Sequence, residues 1–182
     1  MSDYSIRIPV NNYRLQFLEK NGTNKQLLSG ITDTMYKPVG VNLGEYPPDK
    51  TCLRLRQSFG KESTLVEITT LKRGTRYTDE KNIFGEGNTA DLKKIATKMG
   101  YEPWGEMTVS STEYTVAIGK NLVSCLYQEI KPVGKFIKIE APSSFALGNV
   151  IKAFKVTNSE KIERNAAMLL AEKMNLIIST SK

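Results

Sequence analysis

Arg54 and Arg56, two apart in Thr51-Cys52-Leu53-Arg54-Leu55-Arg56, have the side-chain type and spacing best suited to chemistry in this chain. Side chains in a strand alternate faces, so the two guanidiniums share one face and Leu53 and Leu55 take the other. A guanidinium presents a planar fork of donors that matches phosphate oxygens, and a strand repeating Arg with period two sets two forks side by side. Lys72, in Thr69-Thr70-Leu71-Lys72, follows on the next strand after a Gly60 turn and extends the cationic wall. The competing reading is a solvated strand, because charged side chains commonly occupy the wet face of a half-buried sheet. A second charged strand is Gly134-Lys135-Phe136-Ile137-Lys138-Ile139-Glu140, with Phe136, Lys138 and Glu140 on one face and Ile137 and Ile139 on the other. Inside a barrel Lys138 and Glu140 make an ion pair or a ligand contact; on an open sheet they are solvated.

Composition narrows the chemistry. The 182 residues contain no His, so no Ser-His-Asp triad, Cys-His dyad or imidazole-ligated metal can be built. The two cysteines, Cys52 and Cys125, are too few for a zinc motif or disulfide framework, and a reducing compartment is expected. A net charge of +7 favours anionic partners: nucleotides, polyphosphate, nucleic acid or an acidic protein surface. The first residues form no signal-peptide core and no apolar run is long enough to span a bilayer, so a cytoplasmic protein without membrane partners is expected. Gly85-Glu86-Gly87 lacks the third glycine and the preceding hydrophobic strand of a phosphate loop.

These side chains need a strand-rich frame. One domain over residues 1–182 is expected, in two halves of about 1–87 and 88–182. The first half reads as a short strand at Ser5 to Val10, a helix capped by Asn11 and Asn12, a strand from Lys25 to Tyr36, a Pro- and Gly-rich loop, and a hairpin of Thr51 to Ser58 with Thr64 to Lys72. Gly74 to Gly87 is polar and unpatterned. The second half reads as a helix from Asn88 to Gly100, strands at Glu106 to Ile118, Leu122 to Ile130 and Lys135 to Ala141, and a final helix from about Ser159 to Asn175. The class is α+β, with an antiparallel sheet able to close into a barrel.

The order of these segments resembles the CYTH, or triphosphate tunnel metalloenzyme, superfamily, which includes class IV adenylyl cyclases and thiamine triphosphatases. The resemblance runs from about Ser5 to Asn175. It rests on Asp33-Thr34-Met35-Tyr36, Leu53-Arg54-Leu55-Arg56, Thr70-Leu71-Lys72, Met99-Gly100-Tyr101-Glu102-Pro103, and Gln128-Glu129-Ile130 through Glu140. It implies an eight-stranded antiparallel tunnel in which basic residues grip a triphosphate and acidic residues hold divalent metal. Arg54, Arg56 and Lys72 would then be phosphate ligands, and Arg76 and Glu80 would lie near a further Arg and Glu pair. The chain departs from the pattern: Ser5-Ile6-Arg7-Ile8-Pro9 stands where the family carries Glu-x-Glu-x-Lys, and Val109-Ser110-Ser111 precedes Tyr114 where it carries Lys-x-Arg. The closing glutamate pair is Lys138 and Glu140. A lysine in place of a glutamate repels Mg²⁺ or Mn²⁺.

The leading expectation is therefore binding of a phosphorylated anion, nucleotide or polyphosphate, by Arg54, Arg56, Lys72, Arg76, Lys138 and Arg7, without the family's metal-dependent turnover and without a cofactor. Lys138 and Arg7 would supply part of the positive charge a metal brings. The first alternative is a metal-dependent triphosphatase or nucleotidyl cyclase, with Mg or Mn held by Glu80 and Glu140 or by a rearranged set drawn also from Glu67, Glu113 and Glu129. The second is a nucleic-acid or protein interaction module working from its outer surface, although no helix-turn-helix or RNA-recognition signature is present.

Overall fold

The computed structural model describes residues 4–73 and 76–177, apart from the side chains of residues 29, 72, 73 and 76–79. Its strands are β1 (Tyr4–Pro9), β2 (Gly22–Pro38), β3 (Thr51–Ser58), β4 (Ser63–Arg73), β5 (Arg76–Gly87), β6 (Tyr101–Ile118), β7 (Asn121–Lys131) and β8 (Gly134–Ala141). The α-helices are α1 (Asn12–Asn21), α2 (Thr89–Lys98), α3 (Ser144–Ala153) and α4 (Ala166–Lys173), with a single 3₁₀ turn at Asn158–Glu160. The strands form one antiparallel sheet in the order β1-β8-β7-β6-β2-β3-β4-β5. It curls until its edge strands β1 and β5 touch. Long β2 and β6 form its spine and carry three register shifts, which bend the ladder as bulges do.

Alternation along each strand sorts the side chains into two faces. On the outer face of β1, β6, β7 and β8, Ile8, Val116, Val123, Cys125, Ile137 and Ile139 pack with Leu18 of α1, Val150 of α3 and the following Phe154. On the outer face of the other half, Tyr36, Leu53, Leu55 and Leu65 pack with Leu92 and Ala96 of α2. The inner face is apolar at one end, where Met35, Cys52, Met107 and Ile130 meet Ala167, Leu170 and Ala171 of α4. That helix comes so close that a Cβ built on Gly105 would lie 3.0 Å from Leu170 Cδ2 and 3.3 Å from Met174 Sδ. Each helix opens on a side-chain cap: Asn11, Asn88, Ser143 and Asn165 accept from the backbone N–H of Arg14, Ala90, Ala146 and Met168.

The α+β class and the curled eight-stranded antiparallel sheet agree with the sequence reading, and four elements differ from it. Residues 76–87, read as unpatterned, form the edge strand β5, where Glu80 to Phe84 are exposed and no alternation is needed. Strand β6 begins at Tyr101 and runs through Pro103 and Trp104. Helix α3 was absent from the reading. The final helix is only Ala166–Lys173; upstream, Ile162 instead pairs with Arg7 on the free edge of β1.

Candidate functional site

Strand register brings Arg54 and Arg56 against an acid. Arg56 of β3 lies opposite Asp33 of β2, and Arg54 lies opposite Met35. All of these belong to the inner face, because Leu53 and Leu55 are committed to α2 on the outer one. Asp33 is fully buried. Its carboxylate accepts two parallel bonds from Arg56, Nε at 2.8 Å and Nη2 at 2.7 Å, and a longer one from Arg54 Nη1 at 3.4 Å. The fork-to-fork contact fixes the plane of the Arg56 guanidinium and raises its basicity further. The Arg56 side chain keeps 36% of its exposure and that of Arg54 keeps 20%, against none for Asp33. The acid is thus sealed while both bases remain within reach of solvent. One carboxylate shared by two guanidiniums leaves this trio with a formal charge of +1.

A second polar group lies on the same face of β1, β8, β7 and β6. Arg7 is directly opposite Lys138 in the ladder, and Ser5 is opposite Glu140. Lys138 pairs with Glu140, two residues along its own strand. Arg7 donates from Nη1 to the Arg164 carbonyl at 3.1 Å, tying β1 to the segment that leads into α4. Ser124 donates to Glu113 Oε1 at 2.7 Å, and Gln128 Nε2 approaches Ser111 Oγ at 3.4 Å. Like charges placed directly opposite one another in a sheet are unfavourable. The Arg7 and Lys138 pairing is relieved on the lysine side by Glu140.

The remaining sequence-based candidates fall elsewhere. Lys72 occupies a strand position of the same parity as Val66 and Ile68, while Arg76 starts β5; both side chains lie outside the described residues. Glu80 is opposite Thr69, a position of Glu67 parity, so it is exposed on the outer face, away from Arg54 and Arg56. Glu67 and Glu129 are also on the outer face; Glu113 and Glu140 are on the inner one. Among the described residues, no three acidic or thiol side chains converge as a metal would require. Sequence reading noticed Asp33 as part of a motif but missed its role as the carboxylate that orients both arginines. The available signal was its parity with Met35, two residues further along the same strand.

No family model matches the chain, and no curated protein matches it. Solved structures do. A Pyrococcus horikoshii protein superposes with a TM-score of 0.71 at 16% identity, covering 94% of this chain and 99% of that one. A candidate adenylyl cyclase from Hippeastrum, described as having a dominant triphosphatase activity, gives 0.61 at 10% identity over 98% of both chains. The fold is CYTH-like. The same CYTH-like architecture matches a chain of the Schizosaccharomyces pombe Mediator head module, with a TM-score of 0.52 at 12% identity over 86% of this chain and 94% of that one. The CYTH-like sheet thus occurs both in a catalyst and within a multiprotein assembly. No described helix is long and apolar enough to cross a membrane.

Proposed function

We propose that this protein binds a phosphorylated anion, a nucleotide or polyphosphate, on the inner face of its CYTH-like sheet, and does so without metal-dependent turnover. The observation that carries the reading is the buried Asp33, which holds Arg56 and, at longer range, Arg54 while both side chains keep part of their exposure. Such pre-orientation lowers the ordering cost of gripping phosphate oxygens. Arg7 and Lys138 on the opposite strands add cationic groups to the same face. Lys72 extends the set by strand position, whereas Arg76, opposite Arg73, holds a position of Glu80 parity.

The donors do not fit a divalent ion. Glu140 is engaged by Lys138, whose ammonium already supplies a cation there, and Glu80 is on the other face. Mg²⁺ prefers one or two carboxylates together with substrate phosphates, and a neighbouring ammonium opposes it. A thermal-shift panel of tripolyphosphate and nucleoside triphosphates, with Mg²⁺, with Mn²⁺ and with chelator, tests the reading. Stabilisation that persists in chelator, with no phosphate released, is expected; metal-dependent phosphate release would establish the enzymatic alternative.

The Mediator match favours one second reading, a protein interaction module. Exposed Leu27, Phe59, Leu122 and Phe145 suit it. Such a module would show no shift with any phosphorylated probe.

A further inference from the structure

A cleft of about 420 Å³ opens at the start of β6, beside the loop between β2 and β3 and the residues after α4. That volume lies within the range of roughly 300–1,000 Å³ typical of small-ligand sites. Its apolar part is Leu43 and Trp104, both buried, with Leu176 half-exposed alongside. Its polar part is an ion pair between Lys37 and Glu102, which face each other across the β2–β6 ladder. Lys37 also donates to the Val41 carbonyl at 2.9 Å, which leaves one ammonium N–H for a ligand. Asn42 uses its side-chain oxygen to accept from Glu45 N at 3.1 Å, so its NH₂ group is the part left to donate.

These groups select by charge as well as by shape. A lone anion on the remaining Lys37 N–H is repelled by Glu102, and a lone cation on Glu102 is repelled by Lys37. A zwitterion keeps both side chains paired, its carboxylate on Lys37 and Asn42 and its ammonium on Glu102. An apolar group on the same molecule then fills the space along Leu43, Trp104 and Leu176. We propose that this cleft binds a free hydrophobic α-amino acid as its zwitterion. The cleft lies at the end of the sheet covered by α4, and binding there does not require Arg54, Arg56, Arg7 or Lys138.

Trp104 is the sole tryptophan, so its emission reports occupancy directly. L-leucine and L-phenylalanine should each change that emission saturably. Leucine lacking its amino group (4-methylpentanoate), leucine lacking its carboxylate (3-methylbutylamine) and L-glutamate should each bind at least about tenfold more weakly, the scale of one lost charged hydrogen bond. Lys37→Met and Glu102→Gln should weaken leucine binding by a similar factor. Leu176→Ala, at a position exposed enough to leave the fold intact, should weaken leucine and phenylalanine binding as well. No saturable response to either amino acid overturns the proposal. Binding of either truncated analogue as tightly as leucine, or a response unchanged in Lys37→Met and Leu176→Ala, also overturns it.

Discussion

Replacing Asp33 by Asn keeps the shape of the side chain and removes the charge that organises Arg54 and Arg56. In the native protein the fully buried carboxylate accepts three charge-assisted bonds, at 2.7, 2.8 and 3.4 Å. Removing one partner of a buried ion pair costs about 3–5 kcal/mol. Solvent reaches 36% of the Arg56 side chain and 20% of Arg54, so water takes over part of the lost contact and a cost of about 2–3 kcal/mol is expected. With a urea m-value of about 2 kcal/mol/M, the unfolding midpoint should fall by about 1–1.5 M. The assay is a double-mutant cycle with Arg56→Met. Because one interaction serves both residues, the double variant should lose less than the sum of the two single losses, with a coupling above about 1 kcal/mol. Losses that add to within about 0.5 kcal/mol would refute the claim that Asp33 acts by holding Arg56.

Other outcomes follow from particular contacts. Burial pushes the thiols of Cys52 and Cys125 up to about 12. Compared with a free cysteine near 8.5, each therefore holds over a thousandfold less thiolate, and iodoacetamide at pH 8 should leave both unmodified until urea unfolds the chain. The backbone N–H of Thr157, followed by the guanidinium of buried Arg14, holds the Glu160 carboxyl below its ordinary value of 4.5. A carboxylate with a lowered folded value stabilises above the ordinary value and loses that contribution as pH falls through the folded one. Stability should therefore decline below about pH 4.5, with a shallower decline in Glu160→Gln, as followed by urea unfolding between pH 3 and pH 6. Phe154 is fully buried among α1, α3 and the outer face of the sheet, so Phe154→Ala should cost about 3–5 kcal/mol in the same assay.

The legible parts of this molecule were those written in local alternation. The period-two pattern of residues 51–58 gave the strand and the shared face of Arg54 and Arg56. The acid between them was hidden, because the partnership of Asp33 with Arg56 depends on register across a loop of about a dozen residues. Strand β5 was missed since an exposed edge strand has no buried face to impose alternation, and a register shift between Leu65 and Val66 of its partner breaks the pattern further. Helix α3 was obscured by Gly148 and β-branched Val150 and Ile151, which lower helix propensity; packing against β8 and Phe154 overrides that preference. The final helix was read too long because Ile162 fits its apolar stripe, yet the pull of the β1 edge on Ile162 is a tertiary effect. Glu80 illustrates the same limit: parity on β5 depends on pairing with β4, which its own sequence does not encode.

The most direct test of the central claim is calorimetric titration of tripolyphosphate into the wild-type protein and the Arg54→Ala/Arg56→Ala variant, in chelator and again with excess Mg²⁺. Saturable binding by the wild type in chelator, no gain from Mg²⁺, no phosphate release, and loss of binding in the double variant are predicted. Binding that appears only with Mg²⁺, or that survives removal of both arginines, would contradict the account.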